Sequence, residues 1–222
     1  EDTALESGQV ARVVAETQEG VERYYYELRK KLSDFDAVLA FQRDQTYTRR
    51  AELLRADADA MHGVLQQAVR GTATAIVSAN WKQGGGAEGA AVLAGKLRQF
   101  FPSIALDEAS LQGSKEEAEA AALAAAEAAL AAHEQKLEAA KGGLSLEAAR
   151  YVSLLQVDTL WKQHMKALSY VKDFAGLKAY ADKDPLEVYR TEGLALFDSM
   201  QKAFEQNTAF SFTQYDPKAA QK

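Results

Sequence analysis

An all-α fold is what this 222-residue sequence predicts, and three features point to it. Apolar residues recur at steps of three and four over most of the length, the period that gathers them on one face of an α-helix. Alanine, glutamate, leucine, lysine and glutamine dominate, and only three prolines interrupt these helix formers. Helix start and stop signals also punctuate the chain, at Ser114…Glu117, at Gly142-Gly143 and at Asp184-Pro185. The expected architecture is a long scaffold helix (within residues 1–59) packed with a C-terminal part bearing a two-helix hairpin (144–209). A small helical lobe (60–143) is inserted between them, and a tail follows (210–222).

The first element is predicted from Val21 to about Arg55. Val21, Tyr25, Leu28, Leu32, Phe35, Leu39 and Gln42 alternate steps of four and three, a narrow seam suited to lying along another helix. Tyr24, Tyr26, Val38, Phe41 and Tyr47 widen it, as a rod with contacts on more than one side requires. Residues 61–83 read as helix until Gly84-Gly85-Gly86 breaks the chain. A short helix through Val92, Leu93 and Leu97 ends at Phe100-Phe101-Pro102. Ser114-Lys115-Glu116-Glu117 forms a capping box that opens an alanine-rich helix to about Lys141. Leu123, Leu130 and Leu137 line up on it every seventh residue and are expected to supply most of its packing energy. Gly142-Gly143 ends it, and Ser145 is placed to cap the next helix.

The last third reads as the hairpin. Tyr151, Leu154, Trp161, Met165, Leu168 and Val171 mark the apolar face of its first helix. Leu186, Tyr189, Gly193, Leu196, Phe197, Met200 and Phe204 mark that of its second. The restart is well defined: Asp184 can cap, Pro185 suits the first helical position and Glu187 the third. Trp161, His164, Gly176, Asp184 and Pro185 are the structural residues of the hairpin. Between the helices stands a short tip containing Lys178, Tyr180 and Lys183.

Several function classes are excluded or disfavoured. A net charge of −6 argues against nucleic acid held by phosphate neutralisation. The absence of cysteine removes disulfides, thiolate nucleophiles and the usual structural zinc sites. No apolar run approaches the roughly 18 residues of a membrane span. No targeting peptide is recognisable and the chain opens on Glu1, so a segment of a longer or processed protein is expected. The nearest phosphate-loop candidate, Gly89…Gly95-Lys96, has the wrong spacing and places Leu97 where a magnesium-binding hydroxyl belongs. His62, His133 and His164 are scattered, and His164 beside Trp161 reads as a packed, hydrogen-bonded core histidine. Glu116, Glu117 and Glu119 read as a solvated helix start. No catalytic, cofactor or metal residue is assigned, and no catalysis is expected of the chain alone.

Two ordered blocks carry a family resemblance. Val21-Glu22-Arg23-Tyr24-Tyr25-Tyr26-Glu27-Leu28-Arg29-Lys30 … Phe35-Asp36 … Gln42-Arg43 … Tyr47 resembles the start of the long scaffold helix of SecA preprotein translocases. Leu155-Gln156-Val157-Asp158 … Trp161-Lys162-Gln163-His164 and Gly176-Leu177 … Tyr180 … Lys183-Asp184-Pro185 … Glu192-Gly193 are similar to their two-helix finger. The alanine-rich lobe stands where those proteins carry the helical wing, and the resemblance covers about residues 4 to 212. Tyr25-Tyr26, Glu192-Gly193 and Phe210-Ser211-Phe212 look most like cyanobacterial and plastid members.

The resemblance implies a mechanical role. Motion of ATP- and Mg-dependent motor domains, absent from this chain, passes along the scaffold helix to the finger. The finger tip, with Lys178, Tyr180 and Lys183, then meets unfolded preprotein at a SecY-type channel. A chloroplast stromal setting at the thylakoid periphery is implied, with bacterial cytoplasm and inner membrane as the alternative, and membrane contact is peripheral. The chain departs from the family pattern at Lys178, Ala179, Gln163 and Ala37. A motorless helical adaptor or divergent paralogue that binds the channel or a partner protein is therefore the second reading.

Overall fold

The computed structural model describes residues 7–178 and 184–216, and among these it contains six α-helices, one 3-10 turn and no strand. Helix α1 spans Gly8–Arg55. It therefore begins more than three turns before Val21, where the apolar seam suggested its start. The residues between have no proline and are tied locally. Arg12 pairs with Glu16 at 3.0 Å, Arg23 with Glu19 at 2.7 Å, and Gln18 donates to Glu22 at 3.2 Å. Such four-residue pairs favour helix without any tertiary cover.

Ala56, in extended conformation, ends α1, and Asp57 caps α2 (Ala58–Asn80) by accepting from the Ala60 amide at 2.9 Å. Gly84 and Gly86 take left-handed backbone, at φ 74° and 50°, to turn into α3 (Gly86–Phe100). A 3-10 turn at Glu108–Leu111 leads to α4 (Lys115–Ala140), whose capping box is complete. The Glu117 amide lies 3.2 Å from Ser114 Oγ, and the Ser114 amide donates to Glu117 Oε2 at 2.8 Å.

Helices α2 and α4 run antiparallel, as three side-chain pairs along their length record. Thr74 donates to Glu119 at 2.8 Å, Arg70 to Glu127 at 2.6 Å, and His62 meets Glu134 at 2.9 Å. The buried face of α4 is Ala118, Ala122, Ala126, Ala129, Leu130, His133 and Leu137. The expected leucine stripe is thus only partly right, since Leu123 is half-buried while four alanines are fully covered. Alanine packs here by letting two helix backbones approach closely, so the small residues, and not the leucines alone, form the interface.

Helix α5 (Leu144–Lys178) starts one residue before Ser145, so that serine does not cap it. Gly143 turns through φ 79°, and the Glu138 carboxylate accepts from the amides of Gly143 at 2.7 Å and Ser145 at 3.4 Å. A side chain from the preceding helix therefore does the work assigned to the serine. Helix α6 (Pro185–Thr213) runs back along α5 in the most extensive helix pairing of the fold.

The main core joins α2, α3 and α4 to the first half of α5 and the last half of α6. The end of α6 is fastened to α3: Thr213 Oγ1 donates to the Phe100 carbonyl at 2.7 Å, and the Phe100 and Phe210 rings meet edge-on at 5.7 Å. A second, smaller cluster of Leu168, Ala175 and Tyr189 is closed by Phe35, Val38 and Leu39 of α1.

Candidate functional site at the scaffold–hairpin junction

Helix α1 lies antiparallel to α5, and the register is marked by four contacts. Arg50 grips Asp158 with two hydrogen bonds, at 2.8 and 3.2 Å. Tyr47 meets Trp161 edge-on at 6.2 Å. Gln42 reaches His164 at 2.8 Å, and Phe35 sits under the Lys172 ammonium at 5.7 Å. The Arg50 hydrogen bond holds the Asp158 carboxyl below its ordinary pKa, and the pair in turn raises that of Arg50. Farther back, Arg150 of α5 donates to the Ala56 carbonyl at 2.6 Å, satisfying the chain where α1 ends.

Gln42 is the centre of this junction. It is buried, its Nε2 donates to the Gly193 carbonyl of α6 at 3.0 Å, and its Oε1 faces His164 Nε2 of α5. One side chain from the rod thus bonds both arms of the hairpin. Gly193 allows this approach, since a Cβ there would stand 3.1 Å from Leu168 Cδ2 and 3.9 Å from Gln42 Nε2. His164 is sandwiched between the rings of Trp161 and Phe197, each 5.6 Å away, and burial pushes its pKa down. It is a structural histidine joined to an amide, and among the described residues no carboxylate pairs with it in the way that readies a general base.

The remaining hairpin residues fall as follows. Trp161 is buried, with Nε1 unpartnered among the described residues. Gly176 lies inside α5, exposed, with open space where a Cβ would stand. Asp184 caps α6 by accepting from the Leu186 amide at 3.0 Å, and Pro185 is its first residue. Tyr180, Lys183 and the side chain of Lys178 lie outside the described residues. Tyr151 and Met165, read as part of the hairpin's apolar face, are instead exposed. Their positions lie on the side of α5 turned away from α6.

Sequence reasoning placed Gln42 on the seam without seeing its bonds, and it quoted Asp158 in a family block without pairing it with Arg50. The available signal was a lone amide in a register otherwise occupied by Phe35 and Leu39. The seam itself is only half covered. Phe35 and Leu39 pack against the hairpin, whereas Val14, Val21, Tyr25, Leu28 and Leu32 are exposed. Gly95 and Lys96 lie in the interior of α3, where the backbone amides are committed to the helix and cannot cradle a phosphate. No cluster of metal-ligating side chains occurs among the described residues, and no helix among them is long and apolar enough to cross a membrane.

Comparison with known proteins identifies the family. Residues 4–216 match the family model described as the SecA Wing and Scaffold domain. The chain is 34% identical over 98% of its length to "Protein translocase subunit SecA, chloroplastic" of Ostreococcus lucimarinus, covering 24% of that protein. It is 32% identical to "Protein translocase subunit SecA" of Synechococcus elongatus, over 98% of this chain and 23% of the relative. Identity to the chloroplastic subunit of Pisum sativum is also 32%, over 98% of this chain and 22% of the relative. The chain thus spans about a quarter of the length of the curated relatives it matches. The matched span takes in all six helices of the described residues, and this chain belongs to the SecA wing and scaffold domain family.

Proposed function

We propose that this chain is the scaffold, wing and two-helix finger of a SecA-type protein translocase subunit. It converts the motion of ATP-driven motor domains, which lie outside the chain, into movement of unfolded preprotein through a SecY-type channel. The observation that carries the reading is the Gln42 junction, where one buried amide of α1 bonds α5 and α6 together. A displacement of α1 therefore reaches both arms of the hairpin at once. The exposed half-seam Val14–Leu32 is the surface on which the motor domains act. The segment between α5 and α6, with Lys178, Tyr180 and Lys183, is the point of polypeptide and channel contact. Tyrosine suits this task, since it offers apolar area and a hydroxyl to substrates of varied sequence.

ATP and Mg belong to the motor domains in this reading. Membrane contact is peripheral, and the chloroplast stroma at the thylakoid surface is the expected setting, with the bacterial cytoplasm and inner-membrane periphery as the alternative. The test is a photo-crosslinker at position 180 in the parent protein assembled with channel and a stalled preprotein. A crosslink to polypeptide or channel is expected, and Tyr180→Ala is expected to impair transport while leaving the helical spectrum intact. Absence of any crosslink in an assembled complex overturns the tip assignment.

A further inference from the structure

On the face of α5 turned away from α6, a groove of about 530 Å³ runs between α1 and α5, lined by Tyr47, Ala51, Leu54, Trp161 and Met165. Tyr47, Leu54 and Met165 are exposed large apolar residues, and Leu155 and Tyr151 extend the same strip of α5 toward its start. On α5 the steps from Tyr151 through Leu155, Asp158 and Lys162 to Met165 alternate four and three. On α1 the steps Tyr47, Ala51 and Leu54 do the same. Apolar residues hold three of those five positions on α5 and all three on α1, with Asp158 and Lys162 between them, so the groove offers an apolar strip of helical spacing interrupted by charge.

The charge around this groove runs opposite to that of the molecule. The chain carries a net −6, yet the groove itself holds Arg50, Lys162 and a single acid, Asp158. Asp158 is engaged by Arg50. One helical turn away on either wall stand Arg43 and Lys166, which form no ion pair among the described residues, while Lys162 makes no ion-pair contact but lies near enough to help lower the pKa of Asp158. A basic apolar surface also suits an anionic bilayer, but a flat bilayer matches convex, projecting side chains. Here the large aromatic Trp161 is buried in the floor, and the surface is a trough between two rods.

We propose that the α1–α5 groove is the docking site for an amphipathic helix of a partner protein, its apolar face on Tyr47, Leu54 and Met165 and its flanking carboxylates on Arg43, Lys162 and Lys166. The site is separate from the α5–α6 tip, so the hairpin remains available while the groove is filled.

Trp161 reports the event directly, because Trp81→Phe leaves it as the sole tryptophan of the full chain. Two synthetic helical peptides of about 18 residues, enough to span the strip from Tyr151 to Met165, share one leucine face. One carries glutamate on its flanks and the other lysine. The glutamate peptide is expected to shift Trp161 emission saturably, and added salt weakens it. The lysine peptide is expected to bind about tenfold or more weakly, as several surface charge pairs together supply. Exposed Lys162 and Lys166 tolerate reversal, and Lys162→Glu with Lys166→Glu should exchange the two preferences at unchanged helical content. Equal binding of both peptides, no response to either, or a response to phosphatidylglycerol vesicles in place of the glutamate peptide overturns the proposal.

Discussion

Nε2 of His164 lies 2.8 Å from Oε1 of Gln42, a buried bond between residues of α5 and α1 that are far apart in sequence. The Gln42 amide cannot be reversed, because its Nε2 donates to the Gly193 carbonyl. His164 must therefore carry its hydrogen on Nε2 and donate. The rod and both arms of the hairpin are thus bound by one polar contact set in an apolar surround. Its removal should be felt well beyond its size, because an unpaired polar group in such a place is costly.

Gln42→Leu keeps the volume and strips the partner from His164. A loss of about 1–3 kcal/mol is expected, the cost of a buried donor left unsatisfied. Urea unfolding followed by helical ellipticity measures it. A midpoint equal to that of the parent chain removes Gln42 from its central place.

Gly193 and Gly20 should answer alanine in opposite directions. Both sit in helix interiors, where alanine gains about 1 kcal/mol over glycine. At Gly20 no atom lies within 4 Å of the added Cβ, so Gly20→Ala should raise helical content and melting temperature. At Gly193 the Cβ meets Leu168 Cδ2 at 3.1 Å, and Leu168 is itself buried. Overpacking of about 1–3 kcal/mol should there offset or exceed the propensity gain. A stabilised Gly193→Ala variant contradicts the close approach.

Trp161→Ala should cost roughly 3–5 kcal/mol, as for a large aromatic removed from a core. The ring is buried between Tyr47 and His164, so the loss falls on the α1–α5 contact. Denaturation of the variant at constant pH gives the number, and a change near zero would falsify its core placement.

The alanine face of α4 predicts an asymmetry. Ala122→Leu drives a larger side chain into a close helix contact and should destabilise by about 1–3 kcal/mol. Ala124→Leu, on the exposed side, should be near neutral. Thermal melts of the two variants decide it, and equal melting temperatures count against alanine as the packing surface.

Stability should fall as pH drops through the histidine range. Burial lowers the pKa of His164, and burial followed by the charge of Lys136 lowers that of His133, from ordinary values near 6.5. Below that value the unfolded chain takes up protons that the folded chain refuses, so unfolding is favoured. The contribution is complete above about pH 6.5 and is lost as pH falls toward the folded-state values. Urea midpoints should therefore decrease from about pH 7.5 to about pH 5.5, with a shallower decrease in His164→Gln. A flat profile, or an identical slope in the variant, refutes the assignment.

Much of the fold was legible before any coordinates. Local signals act within one turn of the chain, so the capping box at Ser114, the glycine break at Gly84 and the Asp184-Pro185 start of α6 could be read residue by residue. Hydrophobic spacing likewise placed Trp161, Leu168, Tyr189 and Phe197 in the interior. Boundary errors arose where a nonlocal group or a weak local sum decided the matter. Glu138, rather than Ser145, meets the amides at the start of α5, and α1 extends back to Gly8 on local ion pairs, with its apolar register continued among large side chains only by Val14.

The sequence alone determined which segments are helical and which residue of each turn is apolar, because those depend on neighbours three and four positions away. Only the tertiary structure decided which apolar faces are covered. Leu32 and Phe35 are one turn apart on the same seam, yet Leu32 is exposed and Phe35 packs against Tyr189. Burial depends on where another helix passes, and so does the pairing of Gln42 with His164. Such long-range geometry is a property of the whole assembly of helices, and no local window contains it.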